Sequence, residues 1–272
     1  MHRLYSFLFD STGSLQFLIF TSCFILCWNI ENLFGLRPGY KKWKHAFVNA
    51  GFIFTNMPLQ FFLGAVFVIT IKWTFHYHFG ILNLLHLKHH RLVYFIAAFL
   101  LLDFGEYIYH ILMHKVKNLW LFHIVHHSDC IVDVSTALRE HPVENTIRNS
   151  FTLVWVFLTG VGIWALLLRQ IIQIISNVFA HVNYQLPVKL DSVLSCVFVT
   201  PNVHRVHHHY KQPYTDCNYG DVLSIWDRCF GTFKKLSSAE IVYGVDTHMN
   251  LSHDASYASL MKSPFSKWQV ND

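Results

Sequence analysis

"LVYFIAAFLLLDFGEYIYHILMH", residues 92 to 114, reads as a helix that crosses a bilayer and delivers imidazoles to one side of it. A span needs roughly 20 predominantly apolar residues, because backbone groups cannot be left unpaired in hydrocarbon and a helix pairs them internally. This stretch meets that demand. It is interrupted by Asp103 and Glu106, charges that are expensive inside a span and usually functional. It closes with His110 and His114, four residues apart and therefore on one helical face. Two other segments have span character, "SLQFLIFTSCFILCWNI" (14–30) and "FVNAGFIFTNMPLQFFLGAVFVITI" (47–71). A fourth apolar block, 151–179, is too long for one span and short for two. Gly160 and Gly162 mark a turn within it, and Arg169 places its second arm at an interface or on a tilt. The expected fold is therefore an all-α integral membrane protein of about three transmembrane helices plus a helical hairpin entering and leaving on the same side.

Composition agrees. The chain is 53% hydrophobic and only 14% charged, with mean hydropathy +0.32, whereas soluble domains carry about a quarter charged residues. The net charge of +5 comes from basic residues scattered singly or in pairs, which argues against a nucleic-acid surface and for juxtamembrane charge. "KKWK" (41–44), Lys115, Lys117, Arg139, Arg148 and the later basic residues fall on the side where the third span ends, so the positive-inside rule makes that side cytoplasmic. "KHHR" (88–91) opposes this assignment. The six cysteines form no C-x-x-C pair and no disulfide-like framework, which points to thiols in a reducing compartment. The first apolar run lacks a small-residue cleavage site and is expected to be a retained span. No repeat or linker interrupts residues 1–272, so one domain is expected.

Two further stretches need a cause. "HIVHH" holds His123, His126 and His127, and "HRVHH" holds His204, His207 and His208, with the same spacing. Positions i, i+3 and i+4 share a helical face, so each triplet offers its rings to one or two neighbouring metal ions. His181 adds an imidazole where the hairpin returns. A lone histidine is most simply a satisfied polar residue or an interfacial one, and His45, His89 and His90 are read that way. The motifs taken together are not, because burying so many imidazoles without partners is costly. Nine histidines exceed the needs of one tetrahedral zinc and point to two ions held close together. Imidazole suits zinc, copper, nickel and iron alike. His141, Asp103, Glu106, Asp129, Glu144 and Asp227 are the further candidates, as ligands or as the outer partners that orient ligands.

The order H-x-x-x-H, H-x-x-H-H, H-x-x-H-H across membrane spans resembles the fatty acid hydroxylase and sterol desaturase superfamily. "FHIVHHSDCIVDVSTALREHPVE", "VTPNVHRVHHHY" and "NYGDVLSIWDRCFGTF" look like its short bacterial members, and the similarity runs over about residues 45–235. The resemblance implies a cytoplasmic histidine-rich helical cap holding two irons, in a bacterial inner membrane. His110, His114, His123, His126, His127, His204, His207 and His208 would be ligands, with His181 a ninth. It also implies dioxygen as co-substrate and hydroxylation or desaturation of an unactivated C–H bond of a lipid. No dinucleotide fingerprint, haem attachment or iron–sulfur pattern is visible, so electrons are expected from a ferredoxin or a b-type cytochrome with its reductase. A membrane zinc-dependent lipid hydrolase and a metal transporter are the rival readings. Transport would favour ligands near the bilayer midplane, and here they gather at helix ends.

Overall fold

The computed structural model describes residues 2–34, 40–87, 90–246 and 256–266, with side chains from residue 14 onward. Among these residues the regular elements are helices, and extended backbone pairs only at two isolated bridges, Phe198 with Leu223 and His209 with Tyr243. Lys88 and His89 of the "KHHR" run lie outside the described residues.

Five long helices make the body: α1 (His2–Phe34), α2 (Lys42–His76), α4 (Arg91–Lys115), α6 (Pro142–Thr159) and α7 (Ile163–Ala180), with the short α3 (Ile81–Leu84) between α2 and α4. Four segments are long and apolar enough to cross a membrane: Ser14–Phe34, Lys42–Leu84, Arg91–Lys115 and Ile163–Ala180. Phe47, Phe61, Phe62 and Leu92 point outward, as side chains do where the surrounding solvent is lipid. The body is that of an integral membrane protein.

The hairpin turns where the glycines stand. Gly160 caps α6 in the left-handed region, φ +66°, and a Cβ there would lie 2.4 Å from the Phe79 carbonyl oxygen. Gly162 opens α7 and donates its N–H to the Tyr94 hydroxyl at 2.7 Å, fixing the turn against the start of α4. The first arm is longer than the apolar block suggests. It starts at Pro142, with Pro at N1 and His141 as N-cap, because its first two turns face a buried polar interior and carry Glu144, Asn145 and Arg148 instead of apolar residues. α4 and α6 approach closely at Gly105, where a Cβ would meet Trp155 Nε1 at 2.6 Å. That indole donates to the Leu101 carbonyl at 2.7 Å.

Arg169 departs from its sequence reading. It is not interfacial but buried, with Nη2 2.7 Å from Asp221, Nη2 3.8 Å from Asp103 and Nη1 3.7 Å from Glu106. An arginine inside a helical bundle demands carboxylate partners, and the two acids of the third span provide two of them.

The cap forms at the end where α1, α4 and α7 finish. It comprises α5 (Lys117–His127), a 3₁₀ turn (Val134–Leu138), α8 (Val188–Leu194), α9 (Pro201–His207) and α10 (Ile225–Cys229). Buried Glu31 of α1 binds it down, accepting from the Val134 and Asn183 N–H groups at 2.7 Å each and pairing with Lys42 at 2.7 Å.

Candidate metal centre

The two triplets meet face to face. α5 presents His123, His126 and His127; α9 presents His204 and His207, with His208 as its C-cap. Thr200 caps the start of α9, accepting from the Val203 N–H and donating to Asp191 at 2.6 Å. α4 brings His110 and His114 from the membrane side, and His181 caps α7.

The nine rings divide into two groups: His110, His114, His123, His127 and His207 in one, His126, His181, His204 and His208 in the other. In each group the ligand-capable atoms lie within 4.8 Å of one another. Each triplet gives its i and i+4 members to one group and its i+3 member to the other. On a helix i and i+4 are about 40° apart while i+3 lies about 60° to the other side of i, a consequence of 3.6 residues per turn. The groups abut, with the His127 and His208 rings stacked at 4.6 Å.

Four backbone carbonyls orient the rings. Nδ1 of His110 donates to Tyr219 at 2.9 Å, His126 to Arg139 at 3.2 Å, His181 to Asn177 at 2.8 Å and His207 to Cys217 at 2.7 Å. His123 Nδ1 meets the Glu144 carboxylate at 2.5 Å. With Nδ1 carrying the proton, the other ring nitrogen is a lone pair. Yet Nε2 of His126 and of His181 are 3.2 Å apart, and so are Nε2 of His110 and His123. Two lone pairs facing at that distance repel; a cation between them turns repulsion into ligation. Nε2 of His114 and of His207 are buried with no hydrogen-bond partner, again as ligands would be. Burial and the neighbouring imidazoles push His126, His127, His204 and His208 well below the ordinary imidazole range. Burial takes His181 down to about 4 and His207 to about 3. Neutral rings are the form that binds metal.

The other candidates sit elsewhere. Glu144 is beside His123, where it holds the ring. His141 joins neither group: it accepts from the Val143 N–H, lies 3.3 Å from the Met261 carbonyl and packs on Phe122 and Phe265, since its role is to cap α6. Asp227 accepts from the Tyr219 and Gly220 N–H groups at 2.7 and 2.8 Å, fixing the loop whose carbonyl orients His110. Asp103 fastens the same loop to α4 through the Val222 and Leu223 N–H groups and the Trp226 indole. Glu106 touches no histidine and is held by Arg148 and Thr152. Asp129 reaches His45 at 2.9 Å and Thr136 at 2.8 Å. Burial would raise its carboxyl, but Arg139 and His45 win and hold it well below the usual range.

His45, read from sequence as a satisfied polar residue or an interfacial one, is satisfied: it bridges Asp129 and Asp133, two partners that spacing did not point to. The orienting carbonyls were equally invisible, because every residue has one. The acids and glycine of the "NYGDVLSIWD" stretch are the one local pattern there to read, and the sequence reading draws from it only Asp227 as a candidate. Beside the two groups opens a cavity of about 520 Å³ lined by His110, His123, His126, His181 and His204 together with polar side chains from α6 and α7.

The chain belongs to the fatty acid hydroxylase family: the family's sequence pattern matches residues 95–232, about half of the chain and the whole stretch that carries the nine histidines. Among its relatives, alkylglycerol monooxygenase of Homo sapiens is 33% identical over 159 residues, covering 57% of this chain and 33% of that protein. Ornithine lipid hydroxylase OlsE of Rhizobium tropici is 28% identical over 138 residues, 51% of this chain and 41% of that one. Methylsterol monooxygenase 2-2 of Arabidopsis thaliana is 30% identical over 140 residues, 50% of each. The chain thus matches between a third and a half of the length of these proteins. No solved structure matches it.

Proposed function

We propose that the chain is a membrane-embedded, dioxygen-dependent lipid hydroxylase, or a desaturase built on the same frame. Two irons would be held by the five-histidine and four-histidine groups. The observation that carries this is the pairing of ring nitrogens whose protons are used elsewhere, lone pair against lone pair, at 3.2 Å. Relatives named monooxygenase and hydroxylase support the reaction class. Bound there, two irons supply the reduction of dioxygen and the oxidation of an unactivated C–H bond. Zinc accepts the same donors and is the expected substitute in a purified sample.

The chain's own residues do the positioning. The carbonyls of Tyr219, Arg139, Asn177 and Cys217 fix ring tautomers, Glu144 holds His123, and Asp227 and Asp103 hold the loop behind His110. Partners of this kind are worth about 10 to 100-fold in metal affinity or activity. In the hydroxylation, one oxygen atom of dioxygen enters the C–H bond and the other leaves as water, with two electrons and two protons consumed. The electrons come from an external ferredoxin or b-type cytochrome with its reductase, at the cytoplasmic face of a bacterial inner membrane.

Membranes containing the protein, supplied with donor, reductant and ¹⁸O₂, test the reading by lipid mass spectrometry. The expected result is a lipid that gains one ¹⁸O, or loses two hydrogens, only when every component is present. Unchanged lipids with metals bound, or lipid cleavage independent of dioxygen, would overturn it.

A further inference from the structure

A second cavity, of about 600 Å³, lies at the far end of the helical body, where α2 ends and α4 and α7 begin. Arg91 in its lining stands nineteen residues before His110 on α4, about 28 Å at 1.5 Å per residue. The cavity is therefore separate from the metal groups. Three membrane-crossing segments, Lys42–Leu84, Arg91–Lys115 and Ile163–Ala180, wall it near their ends. That sets it at the level where hydrocarbon gives way to lipid heads. Tyr94 and Trp164 in the wall are residue types that favour this level.

The lining combines two chemistries. Ile71, Phe95, Val161 and Ala165 make an apolar wall, while Lys72 and Arg91 are exposed cations. No carboxylate lines the cavity, and among the described residues neither cation has a hydrogen bond or an ion pair. α4 and α7 carry no acid in their first turns that would offset this charge. The two cations also stand where the charge rule disfavours them. The histidine end carries most of the basic residues, and Arg91 closes the "KHHR" run that opposes the resulting orientation. Cations held at the disfavoured interface call for a local anion, and the lining supplies none.

We infer that this cavity binds an anionic glycerophospholipid of the leaflet opposite the metal groups, with its phosphate on Lys72 and Arg91 and one acyl chain along the apolar wall. A lipid is favoured over free phosphate because the cations flank an apolar cavity at the bilayer interface. An anionic head is favoured over a zwitterionic one because the latter brings a cation of its own. The inference stands on the cavity and does not depend on the oxygenase reading.

The full-length chain, delipidated in a neutral detergent, is titrated with dioleoylphosphatidylglycerol, dioleoylphosphatidylcholine or inorganic phosphate, following the rise in unfolding midpoint. One Lys or Arg near a membrane surface is worth about fivefold in affinity for an anionic head. Phosphatidylglycerol should therefore bind about fivefold more tightly than phosphatidylcholine, whose choline offsets one such contact. The preference should shrink as salt is raised. Lys72→Gln and Arg91→Gln should each cost about fivefold of the phosphatidylglycerol affinity, and the pair about 30-fold. Both side chains are exposed, so the lipid-free midpoint should not move; if the double variant fails to fold, the single variants decide. A phosphatidylglycerol with a diazirine in its acyl chain should crosslink to peptides from residues 71–75 or 161–165. Equal binding of the two lipids, an unchanged preference in the variants, or crosslinks confined to other segments would overturn the inference. So would inorganic phosphate displacing the lipid at equal concentration, which would mark a site for a free anion.

Discussion

His126 and His207 are each the i+3 member of a triplet, and each crosses to the group that its neighbours do not serve. Spacing alone leaves the triplets free to serve one ion or two; the division needs the opposing helix, which spacing does not locate. Among the 20 histidines of the chain, eight stood out by the H-x-x-x-H and repeated H-x-x-H-H spacing and His181 by its place where the hairpin returns, and the structure brings these nine together. The partners of their Nδ1 atoms were not legible, since backbone carbonyls carry no residue signature. His126→Ala or His207→Ala should remove metal and activity together, and full metal content in an active variant would count against ligation. Glu144→Gln should keep most of the metal and lose about 10 to 100-fold in activity. His141→Ala should leave metal content alone and cost about 1 kcal/mol through the lost cap, read as a shift in unfolding midpoint. Acid gives a further check. Folded and metal-free, His181 protonates at about 4 and His207 at about 3, whereas unfolded imidazoles do so near 6.5. Stability is therefore complete above about pH 6.5 and falls as the pH drops below it, because the unfolded chain takes up protons the folded one refuses. Melting temperatures of metal-stripped protein should decline below that pH, and a flat profile down to about pH 5 would contradict the burial.

Among the elements, the spans followed from hydropathy and the hairpin from two glycines. The start of α6 did not, because a helix with a polar buried face gives no apolar signal. Arg169 was misplaced for a related reason: its partner Asp221 lies some fifty residues away in a loop, and no local pattern reports it. Removing that arginine should be severe. Arg169→Met leaves Asp103 and Asp221 without their nearest cation in the bundle, and breaking a buried ionic pair from one side costs about 3–5 kcal/mol. The loop from Tyr219 to Trp226 should loosen with it, since Asp103 holds that loop to α4. Detergent-solubilised Arg169→Met should unfold far earlier than wild type; an unchanged midpoint would show that the network is dispensable. Gly105→Val should also destabilise, since its side chain would enter the space of Trp155, with overpacking typically costing about 1–3 kcal/mol.

At the scale of the molecule, one end of the helical body carries every ligand-capable ring of the two groups, and the opposite end carries the hairpin turn. Basic residues on the histidine end predict that it faces the cytoplasm. In a cysteine-free background, Lys211→Cys and Ser238→Cys should resist an impermeant maleimide in intact cells and react once the membrane is opened, while His78→Cys should show the reverse. The reversed pattern would invert the orientation. The facing lone pairs call for cations between them, and the proposed two-iron reading supplies one to each histidine group. Metal analysis of protein produced with iron supplied, quantified per chain, is the direct measurement. About two ions per wild-type chain are expected, with the second lost when either His204 or His207 becomes alanine. A single tightly held zinc in the wild-type chain, with no second ion taken up on iron addition, would contradict it.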